Sequence, residues 1–139
     1  MTRLEAMRYI LENQDPDRRI RAAGLPVSLW DAYKQAGARG RRGAVTARKI
    51  LTPEAKAWTD GAIFDALSQC RGKPTLKRRL IVCLTYHCKF RRGDVDNRSK
   101  LPLDAMTKAG VWQDDRLVDH LFQTRQCDQD AQEGCWTEI

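Results

Sequence analysis

The sequence has no long apolar run. None of its hydrophobic stretches approaches the roughly 20 residues that a membrane-spanning helix needs, so we expect no membrane partner. The amino-terminal stretch "MTRLEAMRYILENQD" is charged throughout and lacks the apolar core of a signal peptide. These absences predict a cytoplasmic protein. The hydrophobic content of 42% and charged content of 31% are typical of a folded globular chain and exclude a disordered one.

The spacing of the cysteines fits no familiar zinc site. The five cysteines are odd in number and irregularly placed, which in a cytoplasmic protein favours reduced thiols. A zinc site is the alternative, but the intervals match neither C-x₂-C nor H-x₃₋₅-H. The possible ligands of such a site are Cys83, His87, Cys88, Cys127 and Cys135.

Acidic residues are absent from residues 34–49, "KQAGARGRRGAVTARK". This stretch carries six Lys and Arg residues and three glycines. Glycine at such density predicts a flexible basic loop. Cations without a counter-charge favour contact with phosphate, and we single out Arg39, Arg41 and Arg42 as DNA-binding candidates. The alternative is a solvated linker.

Charge of one sign dominates most of the chain. The net charge is +7, and residues 1–93 contain 20 Lys and Arg against 8 Asp and Glu, a local excess of +12. Residues 94–139 contain 5 against 10, a local excess of −5. A basic body joined to an acidic segment suggests a surface that binds a polyanion and a site that has to be acidic. The alternative is an ordinary solvated surface.

Hydrophobic periodicity predicts an α+β fold with a small, mixed, partly antiparallel sheet and two main helices. The 139 residues suit one domain, in which residues 1–16 form an amino-terminal helical extension. After that extension the elements follow in β-α-β-α-β-β order. The predicted helices cover residues 3–13, a segment beginning at Thr52-Pro53, and residues 97–109; the predicted strands lie in "RRIRAAGL", at 78–90, in "LVDHLFQTRQ" and in "GCWTEI".

An acidic cluster follows the strand predicted over residues 78–90. Asp94 and Asp96 face the same way in an extended segment, because side chains at i and i+2 share a face. Lys100 lies four residues after Asp96, on the same face of the next helix. Asp115 lies in the turn before the following strand, where a compact fold can bring it beside the other two carboxylates. We expect these four residues to be catalytic.

Three carboxylates packed together repel each other unless a cation neutralises them. An all-oxygen cluster suits a hard ion, so Asp94, Asp96 and Asp115 are predicted to bind Mg²⁺, with Mn²⁺ as a substitute. Such an ion neutralises phosphate and activates water in phosphodiester cleavage, and Lys100 adds positive charge where the transition state gains negative charge. The alternative is that Asp96 caps a helix and the other two carboxylates are solvated.

The basic residues just before the carboxylates complete this hypothesis. Arg91 and Arg92, together with Lys89, are predicted to hold the DNA backbone next to the metal. No small-molecule cofactor is expected. A second nuclease pattern, P-D…E-x-K, is imitated by Pro16-Asp17 and Glu54-Ala55-Lys56, but it needs its E-x-K on a strand. Here that triplet begins a helix, and we regard the match as a coincidence.

The segment "RRGDVDNRSKLPLDAMTKAGVWQDDRLVD", residues 91–119, closely resembles the signature of the RusA-type Holliday junction resolvases. That signature is D-x-D-N, a lysine four residues after the second Asp, D-A-(L/M), and G-(V/F)-W-x-D-D. The resemblance extends more loosely over about residues 20–139. It implies a homodimeric, Mg²⁺-dependent endonuclease that cuts four-way DNA junctions with paired nicks in recombination and repair. The family's essential carboxylates fall on Asp94, Asp96 and Asp115, and its functional lysine on Lys100.

Some features depart from the family pattern, and other functions stay open. The usual P-x-P-S-x-N opening is reduced here to Pro26 and Ser28, and the helix before residue 16 is an addition. Pro102 removes a backbone donor early in the motif helix, so we expect that helix to be tightened or bent.

The alternative functions are a nuclease for flaps or forks and a non-catalytic basic DNA-binding protein. We expect a nucleoid-associated protein of bacterial or phage origin.

Overall fold

The structure is a computed structural model that describes residues 1–12, 16–26, 32–39, 45–88, 95, 98–127 and 135–139. For residues 33–39, 45–49 and 136 only the backbone is described. None of the helices within these ranges is long and apolar enough to cross a membrane. In chain order the elements are α1 (Arg3–Glu12), β1 (Arg21–Ala23), β2 (Tyr33–Arg39), β3 (Val45–Leu51), α2 (Pro53–Gln69), β4 (Leu80–Cys88), α3 (Lys100–Lys108), a 3₁₀ turn (Asp115–Leu117), β5 (Val118–Cys127) and β6 (Trp136–Glu138).

The main sheet is mixed, which confirms the predicted α+β class. Its strand order is β1-β6-β4-β5. Strands β4 and β5 are parallel, with Val82 opposite Leu121 and Cys88 opposite Cys127. Strand β6 is antiparallel to both β4 and β1. The parallel pair is possible because α3 forms the crossover between β4 and β5.

The two carboxy-terminal strands do not form the hairpin that their order along the chain suggests. We expected β5 and β6 to flank the polar turn "DQDAQE". Instead β6 pairs with β4 on the side away from β5, so β4 lies between them. The short β6 thereby satisfies backbone groups of both β4 and β1, whereas pairing with β5 would leave β1 without a neighbour in the sheet.

The basic stretch 34–49 is not a loop, and that prediction was wrong. Strands β2 and β3 pair antiparallel in a separate two-stranded sheet, from Tyr33 opposite Leu51 to Arg39 opposite Val45. The loop prediction gave more weight to the glycines than to the β-branched residues Val45, Thr46 and Ile50, which favour a strand. Residues 40–44, which include Arg41 and Arg42, lie outside the described residues.

Helix α2 begins and ends as the sequence predicts. The Thr52 side chain accepts a hydrogen bond from the Ala55 amide at 3.4 Å, and Pro53 occupies the first turn. Apolar residues recur at helical spacing along this segment and predict a buried face, most of which is buried, including Trp58 at 9% exposure. Leu67 is the exception, because 55% of it is exposed. After the helix, Gly72 takes a φ of +76°, a conformation that favours glycine.

The core lies between the main sheet and the pair α2 and α3. Alternate residues of β4 point into it, and Leu84 and Tyr86 are each 1% exposed. Met106 of α3 is fully buried against them in the same cluster. Trp58 also belongs to this core, as expected. Helix α3 is therefore anchored on the sheet by its apolar side, which leaves its polar side to face outward.

Helix α1 lies against the opposite face of the sheet. Its capping box is present, because the Thr2 amide donates to Glu5 at 2.6 Å and the Glu5 amide donates to the Thr2 hydroxyl at 3.2 Å. The guanidinium of Arg3 lies 5.6 Å from the ring centre of Phe122. Phe122 is opposite the exposed Cys83 in the parallel register, so it points away from the core.

Candidate active site

The polypeptide leaves the core face of the sheet at Cys88 and returns at α3. Between them lies the acidic segment, in which Asp94, Asp96 and Asn97 are outside the described residues. Val95, between the two aspartates, packs against the hydrophobic core. Its carbonyl accepts a hydrogen bond from the Arg98 amide at 3.4 Å. An apolar anchor therefore separates the two predicted metal ligands in the sequence.

The start of α3 is tied to the segment after β1. The Nη1 atom of Arg98 donates to the carbonyl oxygen of the buried Pro26 at 2.5 Å. The helix begins at Lys100, three residues later than predicted. Pro102 therefore occupies the third helical position, where an amide has no intrahelical partner to lose. The expected distortion is unnecessary for that reason.

Lys100 and Asp115 come together at this end of α3. The Lys100 Nζ atom lies 2.8 Å from Oδ1 of Asp104 and 3.9 Å from Oδ2 of Asp115. The Lys100 side chain is 49% exposed and that of Asp115 is 40% exposed, so both remain reachable from solvent. Asp115 thus returns beside Lys100, whereas Asp94 and Asp96, beside which it was predicted to lie, are outside the described residues. Asp104 was not among the predicted site residues, although its position four residues after Lys100 on a helix predicts this contact.

The neighbouring carboxylate, Asp114, caps a turn and does not contact Lys100 in the same way as Asp115. Its side chain accepts a hydrogen bond from the Arg116 amide at 2.9 Å and thereby caps the 3₁₀ turn. That amide lowers the pKa of the Asp114 carboxyl below its ordinary value. Asp114 is thus engaged with its own backbone, while Asp115 faces Lys100. Of the two adjacent aspartates in "QDD", Asp114 is therefore structural and Asp115 is the candidate functional residue.

Trp112 holds the turn that carries Asp115. It is only 4% exposed, and its Nε1 atom donates to the Thr107 hydroxyl at 2.9 Å. On either side of it, the Leu76 amide donates to the carbonyl of Val111 at 2.9 Å and the Gln113 amide donates to the carbonyl of Leu76 at 3.0 Å. Trp112 therefore connects α3 to the extended segment before β4, and it is buried rather than available to stack on a base.

The donor atoms described at this site suit a hard divalent cation. Asp104 and Asp115 offer carboxylate oxygens, and no cysteine or histidine contacts them among the described residues. Within those residues no group of three or more acidic, histidine or cysteine side chains could hold a metal. A complete metal site would therefore need ligands from outside the described residues, where the predicted ligands Asp94 and Asp96 lie. The residues fit the predicted ion in their chemistry.

The DNA-binding candidates are only partly described. Arg39 ends β2, with its side chain outside the description, and Arg41, Arg42, Lys89, Arg91 and Arg92 lie outside the described residues. A second basic group, around Lys77, is described. There Arg78 pairs with Asp17, and Arg79 pairs with Asp119 at 2.8 Å. These two arginines are thus partly neutralised.

The described residues also decide against the rival patterns. Glu54 and Lys56 lie in the first turn of α2, not on a strand, and Lys56 pairs with Asp60 at 2.7 Å. For zinc, His87 lies on the outer face of β4, whereas Cys88 is buried on the core face. Neither arrangement makes a metal site.

Comparison with known protein families gives a match that runs from β2 to beyond β5. The family model described as Endodeoxyribonuclease RusA matches residues 34–132, which is more than half of the 139-residue chain. The chain belongs to the RusA endodeoxyribonuclease family. No curated protein gave a significant match. RusA membership confirms the resemblance found in the sequence and makes this protein a nuclease that acts on DNA, with activity on Holliday junctions implied by the family.

The RusA match contains the whole candidate site. Lys100, Asp104 and Asp115 fall within it, as do the undescribed Asp94 and Asp96. Helix α1 and strand β1 precede the match, and β6 follows it. The sheet of this RusA protein is therefore completed by two short strands from outside the matched range, paired with each other.

Proposed function

We propose that this protein is a divalent-metal-dependent endonuclease that resolves four-way DNA junctions by paired phosphodiester cleavage in recombination and repair. The observation that supports it best is the proximity of Lys100 and Asp115, 3.9 Å between Nζ and Oδ2, inside the segment that matches the RusA family. A lysine beside a carboxylate at a solvent-accessible helix start is suited to stabilising a phosphate near a bound cation.

In this proposal Asp94, Asp96 and Asp115 hold Mg²⁺, for which Mn²⁺ substitutes. When bound, such an ion supplies positive charge and activates water for attack on phosphorus. Lys100 holds its ammonium toward the scissile phosphate and stabilises the negative charge that develops there. Asp104 positions that ammonium by its 2.8 Å contact with Nζ.

The protein acts as a homodimer at the nucleoid in this proposal, as one domain whose residues 1–16 are an added helical extension. A four-way junction cut by paired nicks needs two equivalent sites, and a two-fold dimer presents two such sites in the matching symmetry. The basic hairpin β2–β3 and the residues Lys89, Arg91 and Arg92 hold the DNA backbone on either side of the cut.

The experiment is incubation with a synthetic four-way junction in the presence of Mg²⁺ or of EDTA. We expect two nicked duplex products with Mg²⁺ and none with EDTA. A flap, a replication fork and a linear duplex of the same sequence are the control substrates. Faster cleavage of the flap or the fork than of the junction would replace the proposal with a nuclease for other branched DNA, and cleavage in EDTA would refute the metal requirement.

A further inference from the structure

A cleft with basic walls opens at the opposite end of α3 from Lys100. It has a volume of about 350 Å³ and lies where the turn after α2 meets the turn after α3. Arg18, Arg71 and Lys73 line it, and none of the acidic side chains that the structure describes does. Neither the family's site motif nor the predicted DNA-binding residues include these three cations.

No carboxylate of the described residues forms an ion pair with any of these three cations. The Nη atoms of Arg18 donate to the carbonyl oxygens of Asp17 and Pro74, at 2.7 and 2.9 Å. These neutral acceptors orient the guanidinium but leave its charge. Arg71 and Lys73 have no ion-pair partner within the described part of the chain. Like charges gathered around a concave surface repel each other, and a bound anion relieves that repulsion.

Two nearby arginines outside the cleft, unlike the cations that line it, form ion pairs. Arg78 and Arg79, a few residues further on, are each paired with an aspartate. The cations that line the cleft therefore differ from Arg78 and Arg79, whose charges are compensated by carboxylates. Clefts lined by charge of one sign also focus the electrostatic field, which strengthens the attraction for an anion.

The remaining lining suits a sugar–phosphate backbone. Leu67 contributes an apolar wall although it is 55% exposed, and Phe64, one turn earlier on α2, is 70% exposed. The two residues are three apart on α2, so their side chains lie on the same face of the helix. Thr75 adds a hydroxyl to the lining. The basic lining can bind a phosphate, and the apolar wall at Leu67 can contact the neighbouring deoxyribose.

The distance from the candidate active site fits one DNA arm. Lys100 is the first residue of α3, while Ala109 and Gly110 of the cleft directly follow its last residue. Nine helical residues span about 13 Å, at 1.5 Å each. Successive phosphates of one strand advance about 3.4 Å along a duplex, so this helix length equals that of about four base pairs.

We infer that this cleft binds a backbone phosphate of the DNA arm that leaves the active site, through Arg71 and Lys73 with Arg18 in support. The inference rests on the proposed function for the position of the arm, but the contact with phosphate applies to any duplex. It adds a DNA contact at the end of the helical layer, separate from the basic hairpin and from the arginines before the acidic segment.

The test compares two double variants that remove equal charge. Arg71→Gln with Lys73→Gln changes the cleft, whereas Arg8→Gln with Lys56→Gln changes α1 and the start of α2. Binding to a four-way junction and to a linear duplex is measured by fluorescence anisotropy over a salt series, with EDTA to prevent cutting. The cleft variant should bind both DNAs more weakly, with a slope of log affinity against log salt reduced by about 0.9 for the one phosphate that each bound subunit no longer neutralises. The control should keep the wild-type slope.

The outcomes separate this inference from the proposed function. Equal slopes for the cleft variant and the control on both DNAs would refute the inference, even if the wild type cuts junctions. A wild type that neither prefers nor cuts junctions refutes the proposed function, while a slope difference on the duplex still supports the cleft. If inorganic phosphate raises the Tm of the wild type but not of the cleft variant, and the slopes coincide, the cleft binds free anions and not DNA, which also overturns the inference.

Discussion

The ammonium of Lys100 lies 3.9 Å from Oδ2 of Asp115, although the whole of α3 and the turn after it separate the two residues in the chain. Helix α3 is packed on the sheet by its apolar side, and Trp112 fixes the returning turn to Thr107. The core therefore holds the backbone positions from which the ammonium and the carboxylate approach each other.

Replacing any one of Asp94, Asp96 and Asp115 with Asn should abolish junction cutting and leave junction binding equal or tighter. Each change removes a proposed metal ligand and also a negative charge that faces phosphate. Cleavage is measured on denaturing gels and binding by anisotropy in EDTA. Near wild-type cutting by two of the three variants would show that the site is wrongly assigned.

Asp114→Asn is the matched control for Asp115→Asn. Because Asn caps a turn about as well as Asp, the hydrogen bond from the Arg116 amide should persist and cutting should continue. Asp60→Asn, on the exposed side of α2, controls for the loss of one negative charge far from the site. If Asp114→Asn abolished cutting and Asp115→Asn did not, the roles of the two neighbours would be reversed.

Lys100→Ala should slow the chemical step by about 2–4 kcal/mol, or about 30- to 1000-fold, with little change in junction affinity. Lys100→Arg should restore the rate only in part, because a planar guanidinium does not replace a compact ammonium. Single-turnover rates at saturating protein measure the effect. Lys108→Ala, at the last residue of the same helix, is the control. A normal rate for Lys100→Ala would make Lys100 a surface helix residue.

Changing Arg39, Arg41 and Arg42 together to Ala should weaken binding to junctions of every sequence by a similar factor. These residues are expected to contact phosphates and not base edges. The slope of log affinity against log salt should fall by about 0.9 for each phosphate that the variant no longer binds, and by twice that per dimer. Cleavage at saturating protein should change little. An unchanged slope would remove the β2–β3 hairpin from the DNA interface.

Cys88 and Cys127 offer a test of the parallel pairing of β4 and β5. Their Sγ atoms are 3.7 Å apart, and the two residues are opposite in the register. Mild oxidation with diamide should join them in a disulfide, each thiol losing its hydrogen to the reagent, which is reduced to the hydrazine. Peptide mapping without reductant detects the bond, and Cys127→Ser is the control. A slip of one residue would turn Cys127 to the other face, so no such bond would form.

Tyr86→Phe should lower the free energy of unfolding by about 0.5–1.5 kcal/mol. The Tyr86 hydroxyl donates to Oε1 of Gln123 at 3.1 Å, and the residue is 1% exposed. Denaturant unfolding of Tyr86→Phe, Gln123→Leu and the double variant measures the coupling between them. A double variant equal to the sum of the single ones would show that this hydrogen bond adds nothing.

The stabilising effect of Tyr86 should also depend on pH at the alkaline end. Burial raises the pKa of Tyr86 above its ordinary value of 10.0. The native state therefore keeps its proton above pH 10 while the unfolded state loses it, so the free energy of unfolding falls as the pH rises through that value. Tyr86→Phe should lack this contribution. Parallel curves for the wild type and the variant above pH 10 would contradict the assignment.

Local signals in the sequence determined most elements and the chemistry of the candidate site. Thr52-Pro53 began α2 and Gly110 followed α3, because capping and turn preferences act within a few residues. The spacing of Asp94, Asp96, Lys100 and Asp115 supplied the family, which the match over residues 34–132 confirmed. A family motif consists of residue types at fixed intervals, and both can be read directly from a sequence.

Only the tertiary structure decided which residues meet. It formed a hairpin from a glycine-rich basic stretch, inserted β4 between β5 and β6, and left Leu67 exposed. It also separated Asp114 from Asp115 and brought Asp104 to Lys100. Such outcomes depend on strand pairing and packing between distant segments, whose free energies no local pattern contains. The cleft at Arg71 and Lys73 has the same origin, because its two walls come from turns far apart in the chain.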